Sequence, residues 1–170
     1  MSIPRIYLET TMFSFYYEKR QHDDYQKLKT QTRKIFELIQ AGEYEPYTSP
    51  IALQEIARES DPEKREKMAA LVVDYGIKIL DESDEVNRLA ALYVQEGAIS
   101  QAWERDAAHI AMTTVNGLDF IISLNFTHIT RPWTIEHVRQ VNMRQGYQGI
   151  GIYKPEEVLE IYEDDTGIYG

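Results

Sequence analysis

The feature that most constrains this fold is an alternation of short apolar segments with longer segments of helical period. The apolar segments are four to six residues long, too short for typical helices, and several are rich in Ile and Tyr, which predicts buried strands. They fall at residues 3–8, 44–48, 77–80, 119–124 and 149–153. Strands that alternate with helices predict a parallel sheet covered on both faces. We therefore expect a three-layer α/β/α fold with a central, mostly parallel sheet of four to five strands.

Several helix boundaries are marked by capping residues. Ser49-Pro50 and Asp61-Pro62 each combine a capping side chain with a proline at the first helical position. Gly42 follows a run of helical period and predicts the end of that helix. We expect helices over residues 25–41, 50–58, 62–74, 84–95, 101–115, 134–144 and 155–162. The stretch 10–17 predicts either the start of a helix or an ordered aromatic loop.

Length and composition predict a single domain. With 170 residues, 43% of them hydrophobic, the chain is long enough for one folded domain over 1–170. Residues 155–170 read as an acidic C-terminal helix and tail. No apolar run approaches the ~20 residues of a membrane span, and the N-terminus lacks a signal-peptide pattern. Without cysteine there is neither a disulfide nor a thiolate metal site, so we expect a cytoplasmic protein.

The net charge of −10 limits the ways in which this chain could bind nucleic acid. A broad phosphate-binding face is normally basic, so the charge counts against one. It does not exclude a nuclease, because carboxylates that bind a metal add negative charge and the metal then reverses the local field. Part of the charge also comes from the acidic C-terminal segment.

Four residues with side-chain oxygens are candidates for one site. Glu9 follows the first predicted strand and Asn125 follows the fourth, while Glu55 and Asp106 lie in predicted helices. Ligands of parallel α/β sheets bind outside the carboxyl ends of the strands. Converging oxygen ligands suit a hard cation such as Mg²⁺ or Mn²⁺. The pattern is typical of metal-assisted phosphodiester cleavage.

Each candidate also has an ordinary structural explanation. Glu9 could be a solvated loop residue, and Glu55 an exposed glutamate near a positive helix end. Asp106 has Ala102 and Ile110 on its helix face, so it borders the core and needs a cation, hydrogen bonds or a metal. A structural ion pair would satisfy Asp106 equally well. Asn125 could simply belong to a turn.

Other chemistry-bearing residues give weaker indications. His109 and His128 lack the spacing of a zinc motif, so we interpret them as structural or substrate-side groups. The aromatic run Phe13 to Tyr17 is more typical of packing than of base stacking. Neither a phosphate-binding Gly-Lys-Ser/Thr loop nor a Gly-x-Ser-x-Gly nucleophile elbow occurs. Five side chains are candidates for phosphate contacts: Arg5, Arg105, His128, Arg131 and Arg139.

Four motifs in chain order resemble those of PIN-domain ribonucleases, especially VapC-like toxins of bacterial and archaeal toxin–antitoxin pairs. A strand runs into Glu9-Thr10, and a helix start spans Ser49 to Glu55. The run from Asp106 to Ala111 reads Asp-Ala-Ala-His-Ile-Ala, and the run from Ser123 to Phe126 reads Ser-Leu-Asn-Phe. The similarity covers essentially the whole chain, and the last two motifs are the more specific.

This resemblance implies a PIN-like α/β/α fold, a Mg²⁺ or Mn²⁺ site and endoribonuclease activity on RNA. It also implies a homodimer and an antitoxin partner that buries the site. In our hypothesis Glu9 and Asp106 are the primary metal ligands, and Glu55 holds a water ligand. Asn125 orients that water or binds a second metal, with Thr10 and Ser123 as supporting hydrogen-bond donors.

The chain departs from the family pattern at two positions, where Glu9 and Asn125 each replace the usual Asp. The second change removes a negative charge, and ligand charge helps to set divalent-metal affinity. The alternative is therefore a weakened PIN-like module that binds RNA or a protein without cleavage. A receiver-like signalling domain fits less well, because the first strand ends in a single acid and no Lys follows Ile122 until Lys154.

Overall fold

The computed structural model describes residues 2–166. Five short strands follow the predicted positions: β1 (Arg5–Leu8), β2 (Glu45–Thr48), β3 (Lys78–Ile79), β4 (Phe120–Ile122) and β5 (Gly151–Tyr153). The helices are α1 (Thr10–Tyr16), α2 (Asp23–Gln40), α3 (Pro50–Ala57), α4 (Pro62–Asp74), α5 (Asp84–Gln95), α6 (Glu104–Val115), α7 (Pro132–Arg144) and α8 (Pro155–Thr166). The sequence therefore predicted the order of elements correctly. The strands of the structure are slightly shorter than the predicted ones.

The five strands form one sheet in the order β3-β2-β1-β4-β5, and every pairing is parallel. β1 lies at the centre, where Tyr7 pairs with Tyr47 on one side and with Ile121 on the other. The predicted α/β/α architecture with a parallel sheet is confirmed. The chain winds outward from β1 in both directions, so the strand order reverses between β1 and β4.

Alternate side chains along the strands point into two separate cores. Tyr7 and Ile121 pack on the face that α5, α6 and α7 cover. Ile6 and Ile122 pack on the opposite face, under α1, α2, α4 and α8. This two-residue period is the expected geometry of a strand with both faces buried. The aromatic run of α1 belongs to the second core, where Phe13 is fully buried, so its interpretation as packing is confirmed.

Two local predictions need correction. We expected one helix over residues 101–115, with Asp106 well inside it. Instead, Ser100 caps a single 3-10 turn, Gln101–Trp103, and α6 begins at Glu104. Asp106 thus lies in the first turn of α6, where the helix dipole favours an acid. Ser49 occupies the N-cap position of α3, but its hydroxyl makes no capping bond because it contacts Tyr7 instead.

The other helix boundaries agree with the prediction to within about four residues, the largest difference being the end of α8 at Thr166. The stretch after Glu9 is helical, and Gly42 follows α2 with φ of +80°, a conformation that glycine adopts without strain. Within residues 2–166, none of the helices combines the length and apolar character that a bilayer crossing requires. The acidic C-terminal helix is α8, whereas the end of the predicted tail, 167–170, lies outside the described residues.

Candidate metal centre

The candidate site lies at the carboxyl ends of the three central strands. Glu9 follows β1, Ser123 follows β4, and Ser49 follows β2. Because β1 pairs with both neighbours, these loops meet at one edge of the sheet. The strand order reverses between β1 and β4. The space outside the carboxyl ends of the strands at such a reversal is the usual ligand-binding position in open α/β sheets.

Glu9 is held rigidly at this edge. Its residue is only 3% exposed, and it occupies the N-cap position of α1. Its Oε1 accepts hydrogen bonds from Thr11 Oγ1 at 2.5 Å, Ser123 Oγ at 2.6 Å and Thr11 N at 3.3 Å. Ser123 Oγ in turn accepts from Asn125 N at 2.9 Å. Among the described residues no hydrogen bond falls on Glu9 Oε2, which leaves that oxygen able to bind a cation.

Glu55 projects from α3 toward the same edge. Its Oε1 accepts a hydrogen bond from Thr10 Oγ1 at 2.8 Å and lies 2.5 Å from His109 Nε2. Arg105 Nε lies 4.0 Å from Oε2. Burial raises the pKa of Glu55, but the bonds and charge of His109, Thr10 and Arg105 outweigh it, so that its pKa falls below the ordinary value. Glu55 is therefore ionised near neutral pH.

A buried chain of hydrogen bonds connects Glu55 to the core of the protein. His109, fully buried on α6, contacts Glu55 through Nε2 and Tyr7 Oη through Nδ1 at 2.6 Å. Tyr7 Oη lies 2.7 Å from Ser49 Oγ. Burial lowers the pKa of His109, yet the bond to Glu55 and the charges of Glu9, Glu55 and Asp106 raise it above its ordinary value overall. Burial likewise raises the pKa of Tyr7, so its hydroxyl stays neutral.

Asp106 is the carboxylate with the weakest compensation. It is 9% exposed, and among the described residues its side chain accepts no hydrogen bond. The basic side chain that approaches it is His128, whose Nδ1 lies 3.4 Å from Oδ2. Burial and the charges of Glu9 and Glu55 raise the pKa of Asp106, and His109 and His128 only partly oppose them. A buried carboxylate with so little support is a place where a cation would be stabilised.

Asn125 borders the site but uses its side-chain oxygen locally. Oδ1 accepts from His128 N at 3.1 Å and from Thr127 Oγ1 at 3.3 Å, and so closes the turn after β4. The sequence left open whether Asn125 belongs to a turn, and the structure shows that it does. Asn125 also lines an open cleft of about 430 Å³ with Glu55, Asp106, His128, Ala102, Trp103 and Arg105.

The donor chemistry of this edge fits a divalent cation. Ligand atoms of Glu9, Glu55 and His109 all lie within 4.8 Å of one another. Both nitrogens of His109 are already engaged, however, and coordination through Nε2 would break its bond to Glu55. Within this group the carboxylates of Glu9 and Glu55 are therefore the available ligands, and Asp106, which is not part of the group, adds negative charge nearby. An all-oxygen set of this kind matches Mg²⁺ or Mn²⁺ better than zinc.

The candidate phosphate-binding residues divide into two groups. Arg105 and His128 line the cleft. Arg5 begins β1 and therefore lies toward the opposite edge of the sheet, where its Nε contacts Tyr47. Arg139 is paired with Glu136, and Arg131 Nε donates to Thr134. The structure thus brings only two of the five predicted residues to the candidate site.

Sequence reasoning missed several supporting residues. Tyr7 was assigned only to a strand and Ser49 only to a helix start, and Trp103 was not singled out. His109 was interpreted as structural or substrate-side without its link to Glu55. The three-residue spacing of Asp106 and His109 on one helix was the available indication that both could face the same site.

Comparisons with known proteins support the fold alone. No family model and no curated protein matches the sequence. The structure is similar to a chain in the crystal structure of VapBC2 from Rickettsia felis bound to a DNA fragment from their promoter, with a TM-score of 0.56. The sequences are 13% identical, and the match covers 88% of this chain and 98% of that chain. The fold is therefore one found in a toxin–antitoxin complex.

Proposed function

We propose that this protein is a metal-dependent endoribonuclease that hydrolyses phosphodiester bonds of RNA. The observation that carries the proposal is the grouping of Glu9 with Glu55, whose ligand atoms lie within 4.8 Å of each other, beside Asp106, which shares a cleft with Glu55. These side chains come from three distant parts of the chain, and Asp106 is buried without a hydrogen-bond donor. Ordinary structural pairing accounts for His109 and Glu55, but it compensates Asp106 only in part, through His128.

Each carboxylate has a distinct supporting structure. Thr11 and Ser123 fix Oε1 of Glu9 and leave Oε2 for the cation. Thr10 and His109 hold Oε1 of Glu55, so this side chain would bind or orient a water beside the cation. A bound Mg²⁺ or Mn²⁺ would lower the pKa of a coordinated water and stabilise charge on the phosphate. Such supporting hydrogen bonds typically matter as much as the ligands themselves.

The RNA would approach through the cleft. Arg105 and His128 line it beside Glu55 and Asp106, and they are the nitrogen-bearing side chains best placed to contact phosphate oxygens. The remaining surface carries a net negative charge, so it would not hold RNA by broad electrostatic attraction. Binding would therefore depend on contacts close to the reacting phosphate.

We further propose that the protein is the toxin of a toxin–antitoxin pair and acts as a homodimer. The similarity of fold to a chain of the VapBC2 complex supports this assignment, as does the order of the four motifs. In this hypothesis an antitoxin covers the cleft and keeps RNA from Glu55 and Asp106. Co-purification of a small partner encoded beside the protein, with loss of activity in the complex, would test it.

A second candidate function is a PIN-like module that binds RNA or a protein without cleavage. The amide at Asn125, whose oxygen closes its own turn, supports this alternative because the site then holds one carboxylate fewer. The net charge of −10 supports it as well.

One experiment separates the two functions. A pool of single-stranded and structured RNA is incubated with Mn²⁺ and the wild-type protein, beside Asp106→Asn and a sample with chelator. Cleavage by the wild type alone supports the nuclease. Absence of cleavage by folded wild-type protein, together with retained RNA binding, would favour the non-catalytic module.

A further inference from the structure

An exposed aromatic stack adjoins the candidate metal ligands. Trp103 lies in the 3-10 turn before α6, and its ring stacks on that of His128 with a centroid distance of 3.9 Å and an interplanar angle of 21°. His128 contacts Asp106 through Nδ1. All three side chains line the same cleft. The stack is thus joined directly to a residue of the proposed catalytic site.

The Trp103 side chain is exposed although one face of its ring is stacked. His128 covers one face of Trp103, yet the residue remains 47% exposed. A second exposed aromatic, Phe126, follows Asn125 and is 38% exposed, with Lys154 Nζ 5.5 Å from its ring centroid. Scattered exposed aromatics are common on protein surfaces. Here, however, Trp103 lines the same cleft as Glu55 and Asp106, and a cationic side chain accompanies the second ring.

We propose that the Trp103–His128 stack is a subsite for one unpaired nucleobase next to the scissile phosphate. This inference rests on the proposed nuclease function and specifies its substrate as single-stranded RNA. A flat indole face accepts any base, and stacking on it is a major source of affinity in proteins that bind single strands. Bases within a duplex are already stacked and cannot reach the ring.

The charge of the chain strengthens this inference. A protein with a net charge of −10 gains little from non-specific attraction to phosphate. Stacking does not depend on net charge, so it can supply affinity where electrostatics cannot. The subsite would also hold the neighbouring phosphate near Asp106 and Glu55, which is the alignment that cleavage requires.

The chain offers a matched control. It contains two tryptophans, and the other, Trp133, also stacks on a histidine, His137, at 3.9 Å and 26°. Trp133 is 55% exposed but does not line the cleft. Replacing either residue by Phe leaves the other as the sole fluorescent tryptophan, so each position can be observed separately.

The test uses full-length protein carrying Glu55→Gln, which keeps the RNA intact, in the presence of Mg²⁺. A hexauridylate and a blunt-ended RNA duplex without a loop are titrated into the Trp133→Phe and Trp103→Phe proteins. We expect hexauridylate to quench the fluorescence of Trp103 but not of Trp133, and the duplex to quench neither. Trp103→Ala should weaken hexauridylate binding about 5-fold or more, and Trp133→Ala should not.

Failures of the subsite and of the nuclease proposal are distinguishable. Equal hexauridylate affinity for Trp103→Ala and Trp133→Ala would overturn the subsite, even if the wild type cleaves RNA. Quenching of Trp103 by a basic peptide but by neither RNA would also overturn it, and would indicate a protein-docking surface. Selective quenching by hexauridylate without cleavage by the wild type would retain the subsite and reject the nuclease.

Discussion

His109 and Glu55 lie 54 positions apart in the chain, yet Nε2 of the first is 2.5 Å from Oε1 of the second. The contact joins α6 to α3 at the edge of the sheet and fixes one carboxylate of the candidate site. The other ring nitrogen of His109, Nδ1, is buried and contacts the Tyr7 hydroxyl on the central strand. The orientation of Glu55 is thus determined by the core and not by the surface loops.

Removing the Tyr7 hydroxyl should therefore affect both stability and activity. Tyr7→Phe keeps the shape of the ring but leaves His109 Nδ1 and Ser49 Oγ without this partner. We expect a loss of about 1–3 kcal/mol in the free energy of unfolding, measured with urea. We also expect slower RNA cleavage, because Glu55 loses its fixed orientation.

Tyr93→Phe is the matched control for that change. The Tyr93 hydroxyl, on α5, is also buried and bonds Asn142 of α7 and Thr114 of α6, but Tyr93 does not line the cleft. Its loss should destabilise the fold comparably and leave the cleavage rate of folded protein unchanged. Equal loss of activity in both variants would show that cleavage depends on general stability alone.

Asp106→Asn should stabilise the metal-free protein at neutral pH. The folded state raises the pKa of this carboxyl, so its protonated form is favoured on folding. The stabilising contribution is complete below the unfolded pKa of about 3.9 and is lost as pH rises through the higher folded pKa. The asparagine of the variant does not ionise, so the variant does not lose this stability as the pH rises. Its melting temperature should therefore exceed that of the wild type at pH 7, and the difference should shrink toward pH 4 and below.

Asp119→Asn provides the comparison for this pH series. Its Oδ2 accepts a hydrogen bond from the backbone N of Arg5 at 2.7 Å, at the opposite edge of the sheet. We expect this variant to be no more stable than the wild type at pH 7. If Asp106→Asn were also less stable than the wild type at pH 7, the carboxylate would already be satisfied without a metal.

Ser123→Ala should weaken metal binding. The Ser123 hydroxyl donates to Glu9 Oε1 and accepts from Asn125 N, so its removal frees the Glu9 side chain. Loss of such a supporting bond typically costs about 10–100-fold in metal affinity. Calorimetric titration with Mn²⁺ measures the change. Thr32→Ala, which removes a fully buried hydroxyl on α2, should leave the Mn²⁺ affinity as it is.

Asn125→Asp should tighten Mn²⁺ binding and increase cleavage. A carboxylate can accept the same bonds from His128 N and Thr127 Oγ1, so the turn should persist while the cleft gains a negative charge. Asn87→Asp adds the same charge on an exposed position of α5 and should change neither quantity. An equal effect of both variants would indicate a response to net charge and not a ligand role.

The sequence predicted the architecture because its indications are local. Two-residue and 3.6-residue periods, together with caps such as Asp61-Pro62 and stops such as Gly42, depend on neighbouring residues only. The parallel sheet followed from their alternation. The strand ends then placed Glu9 and Asn125 near one edge, without any knowledge of the strand order.

The sequence did not predict the contacts that connect these elements. Ser49 looks like a helix cap, and only the pairing of β1 with β2 brings it to the Tyr7 hydroxyl. Trp103 was overlooked because the 3-10 turn that directs it over His128 resembles the start of an ordinary helix. Both contacts depend on tertiary geometry, which no local pattern encodes. The roles proposed for Glu9, Glu55, Asp106 and Asn125 stay predictions.

The most direct test of the central claim is the rate of RNA cleavage as a function of Mn²⁺ concentration. Wild type is compared with Glu9→Gln, Asp106→Asn and Glu45→Gln, the last being a glutamate of β2 paired with Lys78 away from the cleft. We predict saturable Mn²⁺-dependent cleavage by the wild type and Glu45→Gln, and at least about 100-fold slower cleavage by the other two. Cleavage by Asp106→Asn at the wild-type rate, or none by the folded wild type at any Mn²⁺ concentration, would contradict a metal-dependent nuclease centred on these carboxylates.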